Sequence, residues 1–237
     1  MDSFETAESG AACFKPENTR VFSDAETVAQ AAADYVFEKI KTCAAEKGQC
    51  HVVLPGGTTP ARCLQLLAEK PLPWNQIHWY TGDERCYPVG HVERNDTMIL
   101  DKLFANQPGA EKNFHPMPAE LGPEQGAANY SLILDATGGM DIVVLGMGED
   151  GHTASLFPGN IALEDEASAI PVYNSPKPPD ERISIGLSML KNAGESIVIA
   201  TGEGKRDALK KIGEGEMLPA VLIEPDVWFV DEDAVRI

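Results

Sequence analysis

The 237-residue chain lacks any apolar run approaching the roughly 18 consecutive residues that a membrane-spanning helix requires. Basic residues are scarce: 19 Lys and Arg face 37 Asp and Glu, for a formal charge of -18 and an isoelectric point near 4.6. Such a surface repels nucleic acid and anionic membrane, so neither is expected as a partner. An anionic small molecule would have to be held by a local cluster of cations and backbone N–H groups. The five cysteines (Cys13, Cys43, Cys50, Cys63, Cys86) include no C-x-x-C pair and are odd in number. That predicts reduced thiols in a cytoplasmic protein and no zinc-site pattern.

Several catalytic signatures are also missing. No Gly-Lys-Ser/Thr closes a Walker loop, no H-E-x-x-H marks a metal, and no G-x-S-x-G elbow presents a serine nucleophile. Gly146-Met147-Gly148-Glu149-Asp150-Gly151 has dinucleotide-loop spacing, but its two carboxylates are hostile to a pyrophosphate. No metal and no cofactor are therefore expected. The N-terminus carries Asp2, Glu5 and Glu8 without an apolar run, so it resembles neither a secretory signal nor an Arg-rich transit peptide. Residues 1–18 are expected to form a mobile tail, and 19–237 one domain.

What is present is a regular alternation of patterns. Ser23 is read as the N-cap of a helix over 24–47, whose apolar residues Val28, Ala32, Val36 and Ile40 recur at helical spacing before Gly48. Cys50–Leu54 is a short apolar run typical of a strand buried on both faces. A helix over 61–69 follows Pro60. Strands are expected at 77–81, 141–145, 169–173, 182–185, 196–201, 221–223 and 227–230. Helices are expected at 95–104, 124–136 and 205–212, and 82–93 is read as a loop. The alternation predicts a single doubly wound α/β domain, with a mostly parallel sheet flanked by helices on both faces. A monomer or weak homo-oligomer is expected.

Ligands of open α/β sheets bind beyond the carboxyl ends of strands, and unusual residues gather at those positions. Gly56, Gly57 and Thr58 lie between a strand and a helix, where backbone N–H groups can approach an anion. Asp83, Glu84 and Arg85 follow the next strand. The strand over 141–145 runs into Gly146–Gly159, with four glycines, two carboxylates and His152. Histidine suits proton transfer near neutral pH, and a nearby carboxylate such as Asp150 can orient it. His51, His78, His91 and His115 lack such surroundings and are read as structural. Arg182 opens a strand, and Lys205 opens a helix after Gly202-Glu203-Gly204; with Arg85 they are candidates for a phosphate site.

These segments, in this order from about Arg20 to the C-terminus, resemble the cytosolic α/β family of 6-phosphogluconolactonases. The Gly146–Gly159 segment is the most specific of them. The resemblance implies hydrolysis of 6-phospho-D-glucono-1,5-lactone to 6-phosphogluconate in the oxidative pentose phosphate pathway. It implies His152 as water-activating base with Asp150 beside it, and a substrate site of Gly56, Gly57, Thr58, Asp83, Arg85, Arg182 and Lys205. The partner would be a phosphorylated sugar lactone, and the setting cytoplasmic. Arg94-Asn95 departs from the Ser-Asn that members often carry. The related glucosamine-6-phosphate deaminases share a similar histidine motif but use an acidic residue shortly after it; here no carboxylate follows His152 until Glu164. A non-catalytic sugar-phosphate sensor is the remaining alternative.

Overall fold

The computed structural model describes residues 18–236; the expected tail lies outside the described residues apart from Asn18. Seven strands form one all-parallel sheet: β1 (Thr19–Phe22), β2 (Cys50–Leu54), β3 (Ile77–Thr81), β5 (Phe114–His115), β6 (Ile142–Gly146), β9 (Glu195–Ala200) and β10 (Val227–Asp231). Their order is β1-β10-β9-β6-β2-β3-β5. From β2 the chain builds outward through β3 to β5, then returns to β6 and builds the other way. The adjacent β2 and β6 therefore flank the switch in strand order, where a crevice opens at their carboxyl ends.

The strands are buried on both faces because side chains alternate between two cores. Cys50, Val52 and Leu54 of β2 face α1 (Ala25–Lys47) and α2 (Thr58–Ala68), whereas Val53 faces the other core. That second core contains α4 (Pro123–Asp135), α6 (Arg206–Gly213), α7 (Pro219–Leu222) and α8 (Glu232–Val235). Trp79 of β3 and Trp228 of β10 are fully buried on opposite faces. Among the described residues no helix is long and apolar enough to cross a membrane.

The structure corrects several sequence expectations. Asp24, not Ser23, caps α1: its carboxylate accepts from Thr27 N at 2.8 Å and the Thr27 hydroxyl accepts from Asp24 N. The helix expected over 61–69 begins at Thr58, because Gly57 at φ 99° turns the chain into the first turn immediately. The 95–104 helix divides into α3 (Asn95–Ile99) and a wider π-turn over Leu100–Phe104. Residues 221–223 are not a strand; Pro219, suited to a first helical turn, starts α7 instead. The 82–93 loop contains β4 (Asp83–Arg85), which pairs antiparallel with β8 (Arg182–Ile185). With β7 (Ala169–Val172) these form a separate three-stranded sheet. A further short helix, α5 (Leu187–Lys191), leads from β8 to β9.

Three histidines read as structural form one stack across β2, β3 and β5. The His51 and His78 rings lie 5.1 Å apart and His78 and His115 5.6 Å apart, with Tyr80 hydrogen-bonded to His51 at 2.9 Å. Burial lowers the pKa of His51 and His115, and repulsion from His78 adds to it. The unfolded chain therefore binds these protons more readily, and their stability contribution, present above the ordinary histidine pKa of 6.5, is lost as pH falls through and below it. Acidification from about pH 7.5 to 5.5 is expected to lower Tm more in the wild type than in His115→Phe. Equal falls in the two proteins would place the acid sensitivity elsewhere.

Candidate active site

A cavity of about 530 Å³ opens at the switch point and is walled by the segments after β2, β3, β6 and β9 together with β8. Gly56, Gly57, Thr58, Asp83, Arg85, His152, Arg182 and Lys205 all line it. Asp150 stands behind His152 rather than in the wall.

The histidine is held by the shape of its own loop. β6 ends at Gly146, and Gly148 N donates to the His152 carbonyl at 2.8 Å, closing a tight turn through Gly151 at φ 82°. A Cβ at Gly148 would collide with the His152 ring, so only glycine leaves room for this packing. Thr153 Oγ1 donates to the Gly146 carbonyl, and Ala154 at φ 49° continues the sharp return. The ring packs against Phe157 at 4.6 Å, and its side chain is 17% exposed. Nδ1 lies 2.5 Å from Asp150 Oδ1, and the same oxygen accepts from His152 N. Burial alone would raise the Asp150 pKa, but the histidine and the backbone N–H donors outweigh it and bring it to about 2. Asp150 is therefore an anion at neutral pH and a standing acceptor for an Nδ1 proton.

The facing wall depends on Asp83. One of its carboxylate oxygens accepts from Asn95 Nδ2 at 3.0 Å and the other from Ser155 Oγ at 2.6 Å. Asn95 in turn lies against Gly56, where any Cβ would clash with its carboxamide. Behind them Glu84, fully buried, accepts from the backbone N–H groups of Arg85, Asn95 and Asp96. Burial pushes the Glu84 carboxyl up to about 7, against the opposing pull of those donors. Arg94 is buried too, with its guanidinium on Asp96, Glu120 and the carbonyls of Tyr87 and Met117. The departure at Arg94 thus forms a buried network that seats Asn95 from below.

Cations concentrate where the acidic chain was expected to need them. The β4–β8 register sets Arg85 directly opposite Arg182. Arg182 is almost fully buried, with its guanidinium bonded to the carbonyls of Lys177, Pro178 and Pro179 and 5.5 Å from the Phe157 ring. Burial lowers its pKa, and the neighbouring Arg85 adds to this. Arg85 donates to the Glu93 carbonyl, while its buried Nε has no partner among the described residues. Lys205 closes a 3-10 turn before α6, and burial lowers its pKa against the pull of Glu149. Gly57 at the N-cap of α2 offers no side-chain bond, which leaves first-turn N–H groups for an anion at the cavity wall.

Some residues of the site escaped the sequence reading. Lys177 lies in the proline loop read only as surface, yet it lines the cavity and reaches Glu149 at 3.8 Å. A lone cation between prolines, in a chain short of cations, was the available signal. Ser155 had none: its bond to Asp83 joins residues 72 apart. Glu164, the first carboxylate after His152, is exposed and is not among the cavity residues.

The family model described as "Glucosamine-6-phosphate isomerases/6-phosphogluconolactonase" matches residues 23–231. The chain is 34% identical to a 6-phosphogluconolactonase of Synechocystis sp., over 84% of this chain and 89% of that protein. It is 33% identical to the 6-phosphogluconolactonase of Homo sapiens, over 92% of each. A crystal structure of 6-phosphogluconolactonase from Thermotoga maritima superposes with a TM-score of 0.84 at 28% identity, over 90% of this chain and 99% of that one. By sequence and by fold, the chain belongs to the glucosamine-6-phosphate isomerase/6-phosphogluconolactonase family.

Proposed function

We propose that this protein is a 6-phosphogluconolactonase, hydrolysing 6-phospho-D-glucono-1,5-lactone to 6-phosphogluconate with His152 as the general base. The observation that carries this reading is His152 in the wall of a cavity that Arg85 and Arg182 also line, with Asp150 paired to the ring from behind. With Asp150 accepting Nδ1–H, His152 Nε2 keeps its lone pair for a water molecule. That water attacks the lactone carbonyl as its proton passes to Nε2. The tetrahedral intermediate then expels the ring oxygen, which takes the proton back from the imidazolium. Proton transfer of this kind contributes about 10²–10⁴-fold, and positioning of the substrate supplies more.

In this reading the phosphate is held by Arg85, Lys205 and Arg182, with Lys177 completing the cluster. Gly56, Gly57 and Thr58 bring backbone donors against the sugar phosphate, and Asp83 shapes the facing wall through Asn95 and Ser155. Both named relatives are 6-phosphogluconolactonases. The position of Glu164 outside the cavity weighs against the deaminase reading. A sensor would bind phosphate without an oriented histidine. The setting proposed is the cytoplasm, as a monomer or weak homo-oligomer.

Purified protein is expected to release acid from fresh 6-phosphogluconolactone in a pH-stat, with chelator present and no metal added. Ammonia release from glucosamine 6-phosphate would instead support the deaminase, and binding without turnover the sensor. His152→Ala should lower kcat by about 10²–10⁴-fold with KM little changed; an unchanged kcat removes the histidine from the mechanism. Lys205→Ala and Arg85→Ala should mainly raise KM, by roughly tenfold or more for the loss of a charge-assisted bond of about 1.5–3 kcal/mol. A fall in kcat alone in both variants would move the phosphate elsewhere.

A further inference from the structure

The opposite end of the same two strands carries a second cluster of chemistry-bearing side chains. Cys43 lies near the C-terminal end of α1, Cys50 opens β2, and Asp141 immediately precedes β6. The length of β2, about 13 Å at ~3.3 Å per residue, separates them from the cavity. The two sulfur atoms and an Asp141 carboxylate oxygen all lie within 4.8 Å of one another. The Cys43 thiol donates to the Gln49 carbonyl at 3.7 Å. Cys50 is fully buried and the Asp141 side chain is 12% exposed, whereas Cys43 is half-buried and opens the cluster to solvent. Asp141 is already oriented, with Oδ2 accepting from His51 N at 2.8 Å and Oδ1 from Lys47 Nζ at 2.5 Å.

We propose that Cys43, Cys50 and Asp141 form a site for a thiophilic d10 divalent cation of the zinc and cadmium class, remote from the catalytic cavity. Metal–sulfur bonds near 2.3 Å and metal–oxygen bonds near 2.1 Å in a tetrahedron set neighbouring donors roughly 3.5–3.8 Å apart. The present separations, within 4.8 Å, must close by no more than about 1.3 Å, and a rotamer change at the half-buried Cys43 can supply that. Solvent fills the fourth position.

The charge count favours such a cation. As two metal–sulfur bonds form, the two thiol protons leave to solvent and nothing is oxidised. Two thiolates and one carboxylate against a divalent ion leave one negative charge, which the ammonium of Lys47 beside Asp141 offsets. Metal and protons compete for the two sulfur atoms, so binding weakens as pH falls. The sequence carried no C-x-x-C spacing; the fold assembles the donors from a helix end and two adjacent strands.

Cadmium titration of the full, reduced chain at neutral pH tests the site. A sulfur-to-cadmium ultraviolet charge-transfer band should saturate at one equivalent, with about two protons released per ion. Cys43→Ala should abolish the band, Asp141→Asn should weaken binding by roughly tenfold or more, and His152→Ala should leave the band intact. Absence of the band at stoichiometric cadmium, its survival in Cys43→Ala, or its loss in His152→Ala would overturn the proposal. The wild type provides a check free of any folding defect. Cadmium should protect Cys43 from alkylation while Cys86, a half-buried thiol elsewhere in the fold, stays reactive. Unchanged labelling of Cys43 would equally overturn it.

Discussion

The carboxylate of Asp83 accepts from Asn95 on one oxygen and from Ser155 on the other, so one side chain ties together three chain segments. Through Asn95 it sets the wall beside Gly56, and through Ser155 it anchors the return of the loop that carries His152. Asp83 also begins β4, whose pairing with β8 faces Arg85 with Arg182. Without this buried bond pair, the glycine turn, the histidine loop and the arginine strand would each be placed only by its own local geometry.

The buried charges behind that wall follow from it. Asn95 can serve Asp83 only if the start of α3 is held still, and Glu84 does this by accepting from the backbone of Asn95 and Asp96. A buried carboxylate with a raised pKa is costly alone. Arg94, itself almost fully buried, lies 3.9 Å from Glu84 and also bonds Asp96. The network therefore spends buried charge on orientation rather than on net stability. On the strand paired with β4, Arg182 holds the proline loop by its carbonyls, and Lys177 of that loop lines the cavity. An acidic protein thus keeps four of its few cations around one cavity.

Much of the fold was legible in the sequence. Cys50–Leu54, Ile77–Thr81 and Arg182–Ile185 occupy the expected positions because continuous apolar or alternating runs between turn residues have few other ways to bury themselves. The short β4 was not legible, since Asp83-Glu84-Arg85 carries no apolar pattern and is a strand only because Arg182–Ile185 pairs with it. The 221–223 segment misled for the converse reason: its apolar side chains fit either element, and Pro219 with the neighbouring core decided for helix. The antiparallel sheet of β4, β8 and β7 depends on long-range pairing that strand–helix alternation does not encode.

What the sequence by itself determined was the chemistry of the loops: glycines after β2 and β6, a histidine two residues past a carboxylate, and isolated cations after later strands. Covalent spacing keeps Asp150 beside His152, and Gly148 leaves room for the ring, so that pair is a local property. Only the tertiary structure decided which distant groups share one cavity. The β4–β8 pairing set Arg85 against Arg182, the Pro loop brought in Lys177, and Asp83, already bonded to Asn95, reached Ser155 across 72 residues of chain. The same folding gathered Cys43, Cys50 and Asp141 at the far end of β2 and β6. Contacts of that kind arise from strand order and burial, and no short sequence window contains them.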